Sequence, residues 1–169
     1  MKRKYPVVII SEEGASWLEK GQMWMYKNNL ESIDEDAENG TLVDIISEKG
    51  KYLGTGFLSR NSHITVRILS KNPDEVFDRD FFKKRIKFAY DFRKTLEKEN
   101  ITNCRLIFGE ADELPGLTVD RYNVILVAQI STYGMEQIKD MLYEILLEVL
   151  SDNLVRVEIQ SDHGIVALR

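Results

Sequence analysis

What this chain of 169 residues lacks narrows it first. It has one cysteine, Cys104, and two histidines, His63 and His163. A lone cysteine excludes an internal disulfide, and the three residues form no recognisable metal-ligand spacing. Cys104 directly precedes an apolar stretch, which predicts a buried, unreactive thiol. Apolar runs such as Val124–Ile130 fall far short of the roughly 20 residues that span a bilayer. The basic start, Met1–Lys4, leads into Val7–Ile10, too brief a run for a secretory signal. A cytoplasmic protein with no membrane partner is therefore expected. A dinucleotide fingerprint is missing too: Gly54 and Gly56 have no third glycine or helix after them, and Phe57–Ser59 continue a strand. Two glycines inside a strand point instead to a bulge or a close backbone approach.

What is present suits a folded chain. Hydrophobic residues make up 43% and charged residues 30%, and the mean hydropathy is −0.29, a globular rather than a disordered balance. The length allows one large domain or two small ones. The net charge of −5 is uneven: residues 1–72 balance ten basic against ten acidic groups, whereas Arg79–Arg105 carries nine basic and four acidic ones. A pI near 5.2 argues against nonspecific coating of nucleic acid, but a local basic surface still steers a polyanion.

Along the first half, short β-branched and aromatic runs alternate with turn signals. Strands are expected at Tyr5–Ile10, Met23–Tyr26, Thr41–Ser47, Tyr52–Ser59 and His63–Ser70, with an acidic loop over Glu31–Asn39. Ser11 followed by Glu12 and Glu13 starts a short helix through Ala15–Glu19 that stops at Gly21. A small β-barrel fits this order best. His63, beside a turn, reads as an exposed polar residue. Trp24 reads either as core or as a stacking platform.

Lys71–Asp74 forms a polar, proline-containing joint, which divides the chain into residues 1–72 and 73–169. A helix follows from Arg79 to about Lys98, with Phe82, Ile86, Ala89, Phe92 and Leu96 on one stripe and Lys83, Lys84 and Lys87 mainly off it. Those lysines are either a solvated face or an RNA contact. Strands at Arg105–Phe108, Leu117–Asp120 and Val124–Ile130 come next, with Tyr122 and Asn123 as the hairpin turn. A helix over Gly134–Leu150 and strands at Leu154–Ile159 and Ile165–Leu168 complete an α+β unit, helices on one mainly antiparallel sheet.

The densest stretch is Arg105–Tyr122, RLIFGEADELPGLTVDRY. Pro115 and Gly116 suit a type II turn. Arg105 and Arg121 flank Glu110, Asp112, Glu113 and Asp120. One reading makes these structural ion pairs; the other makes them a functional loop.

Two resemblances organise these elements. Residues 2–72, with GQMWMYKNNLESID, GTLVDIISEKGKYLGTGFLS and SHITVRILS, are similar to a PUA domain, a small pseudo-barrel that binds RNA in many modification enzymes. That likeness implies RNA contacts at Lys20, Gly21 and Trp24, with Arg60 and Arg67 on phosphates. Arg105, Gly109–Asp112 (GEAD), Leu114–Leu117 (LPGL), Val119–Tyr122 (VDRY) and Gln129 resemble the middle domain of S-adenosylmethionine-dependent methyltransferases that modify cytosine C5 of large-subunit ribosomal RNA. In that family a Rossmann-like domain holds the methyl donor and the catalytic residues. Arg156–Arg169 looks like the joint to it, although Gln160 stands where the family has arginine.

The resemblance implies the RNA-recognition portion of a 23S ribosomal RNA methyltransferase, with no catalytic residues and no cofactor in this chain and no methylation by it alone. Its partners would be large-subunit ribosomal RNA and the C-terminal methyltransferase domain, with a homodimer also allowed. Arg105, Glu110, Asp112, Pro115, Gly116, Asp120 and Arg121 would be interface or RNA-positioning groups. The alternatives are a free-standing RNA-binding or scaffold protein, and a middle domain that serves only as a structural interface.

Overall fold

The computed structural model describes residues 5–150 in full and the backbone of 156–161 and 164–168. Cα proximity divides the chain between Glu75 and Val76.

The first unit is a six-stranded curled sheet with one helix. Its strands are β1 (Val7–Ile10), β2 (Trp24–Tyr26), β3 (Leu30–Ile33), β4 (Leu42–Ser47), β5 (Tyr52–Leu58) and β6 (Ile64–Ser70), in the order β2-β6-β5-β4-β1-β3. Only β1 and β4 pair in parallel. Helix α1 (Glu12–Glu19) starts directly after Ser11, as the sequence suggests, because Ser11 Oγ accepts the Gly14 N–H at 3.3 Å and caps it. Val8, Ile10, Leu18, Met25, Val43, Ile45, Leu58, Val66 and Ile68 form the core.

One departure from the sequence reading has a local cause, and one buried charge within an expected strand has another. The expected acidic loop begins as a strand, since Leu30 and Ile33 pack on the core while Glu31 and Ser32 face outward and the backbone completes the edge of β1. Asp44, in the middle of an apolar run, is 3% exposed and accepts a hydrogen bond from Thr55 Oγ1 at 2.5 Å. A buried carboxylate in a strand requires such a donor.

The glycines of β5 act as their spacing suggests. The β5–β6 register shifts between Thr55 and Gly56, and a Cβ on Gly56 would lie 2.1 Å from the Arg67 carbonyl oxygen.

The second unit places helices on a five-stranded sheet. Helix α2 (Arg79–Glu97) is capped by Asp78 Oδ1, which accepts the Phe81 N–H at 3.0 Å. Strands β7 (Asn103–Phe108), β8 (Leu117–Tyr122), β9 (Ile125–Ile130), β10 (Arg156–Ser161) and β11 (Gly164–Leu168) are adjacent in chain order, all antiparallel except β9 with β10. Thus α+β holds for the whole chain. Leu154 and His163 lie outside the described residues.

Three sequence expectations need correction here. The hairpin turn is Asn123–Val124, because Tyr122 pairs with Ile125, and Asn123 takes the positive φ (55°) that hairpin twist favours. The expected helix over Gly134–Leu150 is two, α3 (Tyr133–Gln137) and α4 (Lys139–Val149): Ile138 leaves helical geometry at φ −111° and donates to Met135. On α2 the apolar stripe stays buried only through Ala89; Phe92 and Leu96 are exposed, beside a Phe88 that is 74% exposed. Periodicity identifies a face but not how far its partner extends.

Replacing Gly56 by alanine forces β5 and β6 apart, and urea denaturation is expected to show a loss of at least about 3 kcal/mol. Gly50→Ala has open space and only a strained φ of 78°, so its loss stays near 1 kcal/mol.

Candidate functional site

The stretch Arg105–Tyr122 folds as a clasped loop between two strands. Gly109 and Glu113 both take positive φ, 52° and 57°. Leu114 N–H donates to the Gly109 carbonyl at 2.9 Å and closes the loop, and Leu117 N–H donates to the Leu114 carbonyl at 3.0 Å across the Pro115–Gly116 turn. Gly116 has φ 87°, as a type II turn requires. A Cβ there would also lie 2.4 Å from Thr132 Cγ2, so glycine is required both by conformation and by space.

The carboxylates of this loop are held mainly from α2. Asp112 Oδ2 accepts from Arg93 Nη2 at 2.7 Å and from the Phe108 N–H at 2.7 Å. That pair is largely buried, at 14% exposure for the Arg93 side chain and 8% for that of Asp112. Arg93 Nε donates in addition to the Arg105 carbonyl. Arg85 pairs with Glu113 at 3.1 Å and lies over the Phe81 ring. Arg105 and Asp120 sit opposite each other on β7 and β8 and form a two-pronged pair, 2.8 and 3.0 Å. The Asp120 hydrogen bond raises the Arg105 pKa further. Arg121 corrects the expected pairing: it is buried on β8 and its Nε donates to the Asn123 carbonyl, fixing the hairpin turn. Cys104 is half-buried rather than buried, and burial pushes its thiol pKa up, away from reactivity.

The residues expected at RNA fall into separate groups. Trp24 and Arg67 are direct cross-strand partners on β2 and β6. Lys20 ends α1, and Gly21 follows at φ 100°. Arg60 spends Nε on the Ala37 carbonyl and Nη2 on the Asp34 carbonyl, at 2.7 and 2.9 Å. In the second unit, Lys83 is paired with Glu148 and Lys87 with Asp91, while Lys84 is exposed. Arg79 joins Lys83 on Glu148, whose pKa these two hydrogen bonds lower.

A cleft that the sequence reading missed opens in the first unit. It holds about 360 Å³ and is lined by Glu13, Trp17, Tyr26, Lys27, Asn29 and His63, among others. An adjoining cleft of about 260 Å³ shares Lys27 and His63 and adds Arg60. Trp17 and Tyr26 meet edge to face at 6.4 Å. Asn29 is 4% exposed, and its Oδ1 has no partner among the described residues. One signal pointed here: on a helix starting at Glu12, Gly14, Ala15 and Leu18 share the buried face and Trp17 falls off it.

The two kinds of ion pair should separate under mutation. Asp112→Ala strands Arg93 and the Phe108 N–H, and a loss of about 3 kcal/mol is expected in urea denaturation. Arg105→Met breaks a pair whose arginine is half exposed, so its loss stays below about 1 kcal/mol.

Comparison with known proteins bears on both units. Residues 8–71 match the family model of a PUA-like domain. Ribosomal RNA large subunit methyltransferase I of Aliivibrio fischeri (strain MJ11) is 36% identical over 136 residues, 80% of this chain and 34% of that protein. The protein of the same description from Shewanella denitrificans is 38% identical over 129 residues, 75% of this chain and 32% of that one. A solved structure from Streptococcus mutans, described as a candidate SAM-dependent methyltransferase, superposes with a TM-score of 0.83 over 96% of this chain and 43% of that chain, at 18% identity. A second, of a candidate methyltransferase complexed with SAH, gives the same score over 42% of its chain at 17% identity. These structures establish the likeness of fold alone. The chain spans about a third of the length of the curated relatives it matches. It therefore carries a PUA-like domain at residues 8–71 and is homologous, over most of its own length, to part of ribosomal RNA large subunit methyltransferase I.

Proposed function

We propose that this chain is the RNA-recognition portion of a cytoplasmic, SAM-dependent methyltransferase acting on cytosine C5 of 23S ribosomal RNA. The observation that carries this reading is the PUA-like match at residues 8–71 within homology to a ribosomal RNA methyltransferase. Residues 1–72 bind RNA through Lys20, Gly21, Trp24, Arg60 and Arg67. Residues 73–169 form the second domain and support it. Methyl transfer and binding of the donor belong to the portion of such enzymes beyond the matched third.

The geometry divides the labour further. Arg60 retains guanidinium N–H groups beyond the two it gives to carbonyls, so it can hold a phosphate while its position stays fixed. Lys83 and Lys87 must first leave Glu148 and Asp91, which weakens the case for them relative to Lys84. The clasped loop, with Arg105, Glu110, Asp112, Pro115, Gly116, Asp120 and Arg121, is stiff enough to act as a brace. Exposed Phe88, Phe92 and Leu96 on α2 favour a second reading of this unit, as a protein interface rather than an RNA surface.

Filter binding of ribosomal RNA fragments across a salt series tests the proposal. Binding stronger than that of an unrelated acidic protein is expected, with a log–log salt slope set by the phosphates contacted. Affinity no better than that control contradicts it. If Lys83, Lys84 and Lys87 all touch phosphate, reversing them to glutamate lowers the slope by about 2; an unchanged slope assigns the RNA contact to the other residues.

A further inference from the structure

The paired clefts between α1, β2 and the start of β6 contain a combination that the basic residues alone do not explain. Trp17 is a large aromatic side chain, 36% exposed, on a helix whose other apolar residues are buried. Tyr26 meets it edge to face, and both rings line the cleft. Asn29 is held rigidly: its carbonyl accepts the Ser11 N–H at 2.9 Å, and Gly14 packs so closely that a Cβ there would be 3.0 Å from Asn29 Cβ. Its Oδ1 nevertheless has no donor among the described residues, although buried amide oxygens are nearly always satisfied. Lys27 and His63 are joined through the backbone, Lys27 N–H to the His63 carbonyl at 3.1 Å. They form the boundary shared with the second cleft, where Arg60 stands.

We propose that the larger cleft receives one unstacked base of single-stranded RNA, stacked on Trp17 or Tyr26, with an adjoining phosphate held by Lys27 and Arg60. The proposal rests on the reading of the first unit as an RNA binder and names the form of RNA it takes. A flat aromatic guest fits exposed rings, because every base has a π-face to stack. Each of the four RNA bases carries an N–H that the Glu13 carboxylate at the cleft can accept. The cationic cleft beside the aromatic one matches the alternation of base and phosphate along a strand. A duplex keeps its bases stacked and offers no such guest.

Fluorescence anisotropy on the whole chain decides this. The probes are short single-stranded oligoadenylate and oligouridylate, an abasic ribose-phosphate oligomer of equal length and charge, and a blunt RNA duplex. The two single strands should bind best, and the abasic oligomer and the duplex more weakly. Trp17→Ala and Tyr26→Ala should each weaken single-strand binding by about five- to a hundredfold without altering the salt slope. Trp17→Phe, which keeps an aromatic face, should restore most of the affinity, and circular dichroism spectra should match across the variants. If the abasic oligomer binds as tightly as oligoadenylate, or Trp17→Ala and Tyr26→Ala both bind as the unaltered chain does, the base pocket is wrong while RNA recognition stands. If neither these oligomers nor ribosomal RNA fragments bind the unaltered chain, the RNA reading fails and takes the pocket with it.

Discussion

The second unit depends on one buried ion pair, Arg93 with Asp112. Asp112 is held by its partners, since one of its oxygens takes both the guanidinium of α2 and the Phe108 N–H at the end of β7. Helix, strand and loop are thereby tied at one atom. Since Arg93 also holds the Arg105 carbonyl, the strand and the loop it leads into are positioned by the same side chain. The type II turn at Pro115–Gly116, wedged against Thr132, closes the other end. A loop this polar, with two positive-φ residues before its turn, keeps one conformation because its charges have fixed partners.

The first unit uses its constraints differently. Gly56 lets β5 and β6 approach closely and bend, and the curled sheet that results leaves α1 lying over one side with Leu18 inward. The same helix phase that buries Leu18 turns Trp17 outward beside Tyr26. Ser11 ties the start of the helix to Asn29 and so fixes one wall of the cleft. Arg60 gains a fixed position from two carbonyls. The surface is thus built from groups that are anchored in the fold before any ligand arrives, which reduces the ordering cost of binding.

Local chemistry made part of this legible in the sequence. Ser11 announced its helix, Pro115–Gly116 its turn, and the paired glycines of β5 their close approach, because each effect depends on residues a few positions apart. Long-range partners were not legible. The acidic loop was matched with the nearest arginines, Arg105 and Arg121. One of these does pair, but Arg121 goes to a carbonyl, and the deeper partners come from α2. Lys83 and Lys87 read as a basic face although carboxylates stand beside them. Asp44 gave no sign that Thr55, on the neighbouring strand, would satisfy it. Trp24 was singled out for its aromatic ring, whereas Trp17 lines the cleft.

Photo-crosslinking the chain to ribosomal RNA fragments that carry 4-thiouridine in single-stranded regions, followed by peptide mapping, tests the central claim that the first unit recognises RNA. The account predicts cross-links within residues 12–29 and 59–67, around Trp17, Tyr26 and Arg60. Cross-linking no greater than to an unrelated acidic protein, or confined to residues after Glu75, would contradict it.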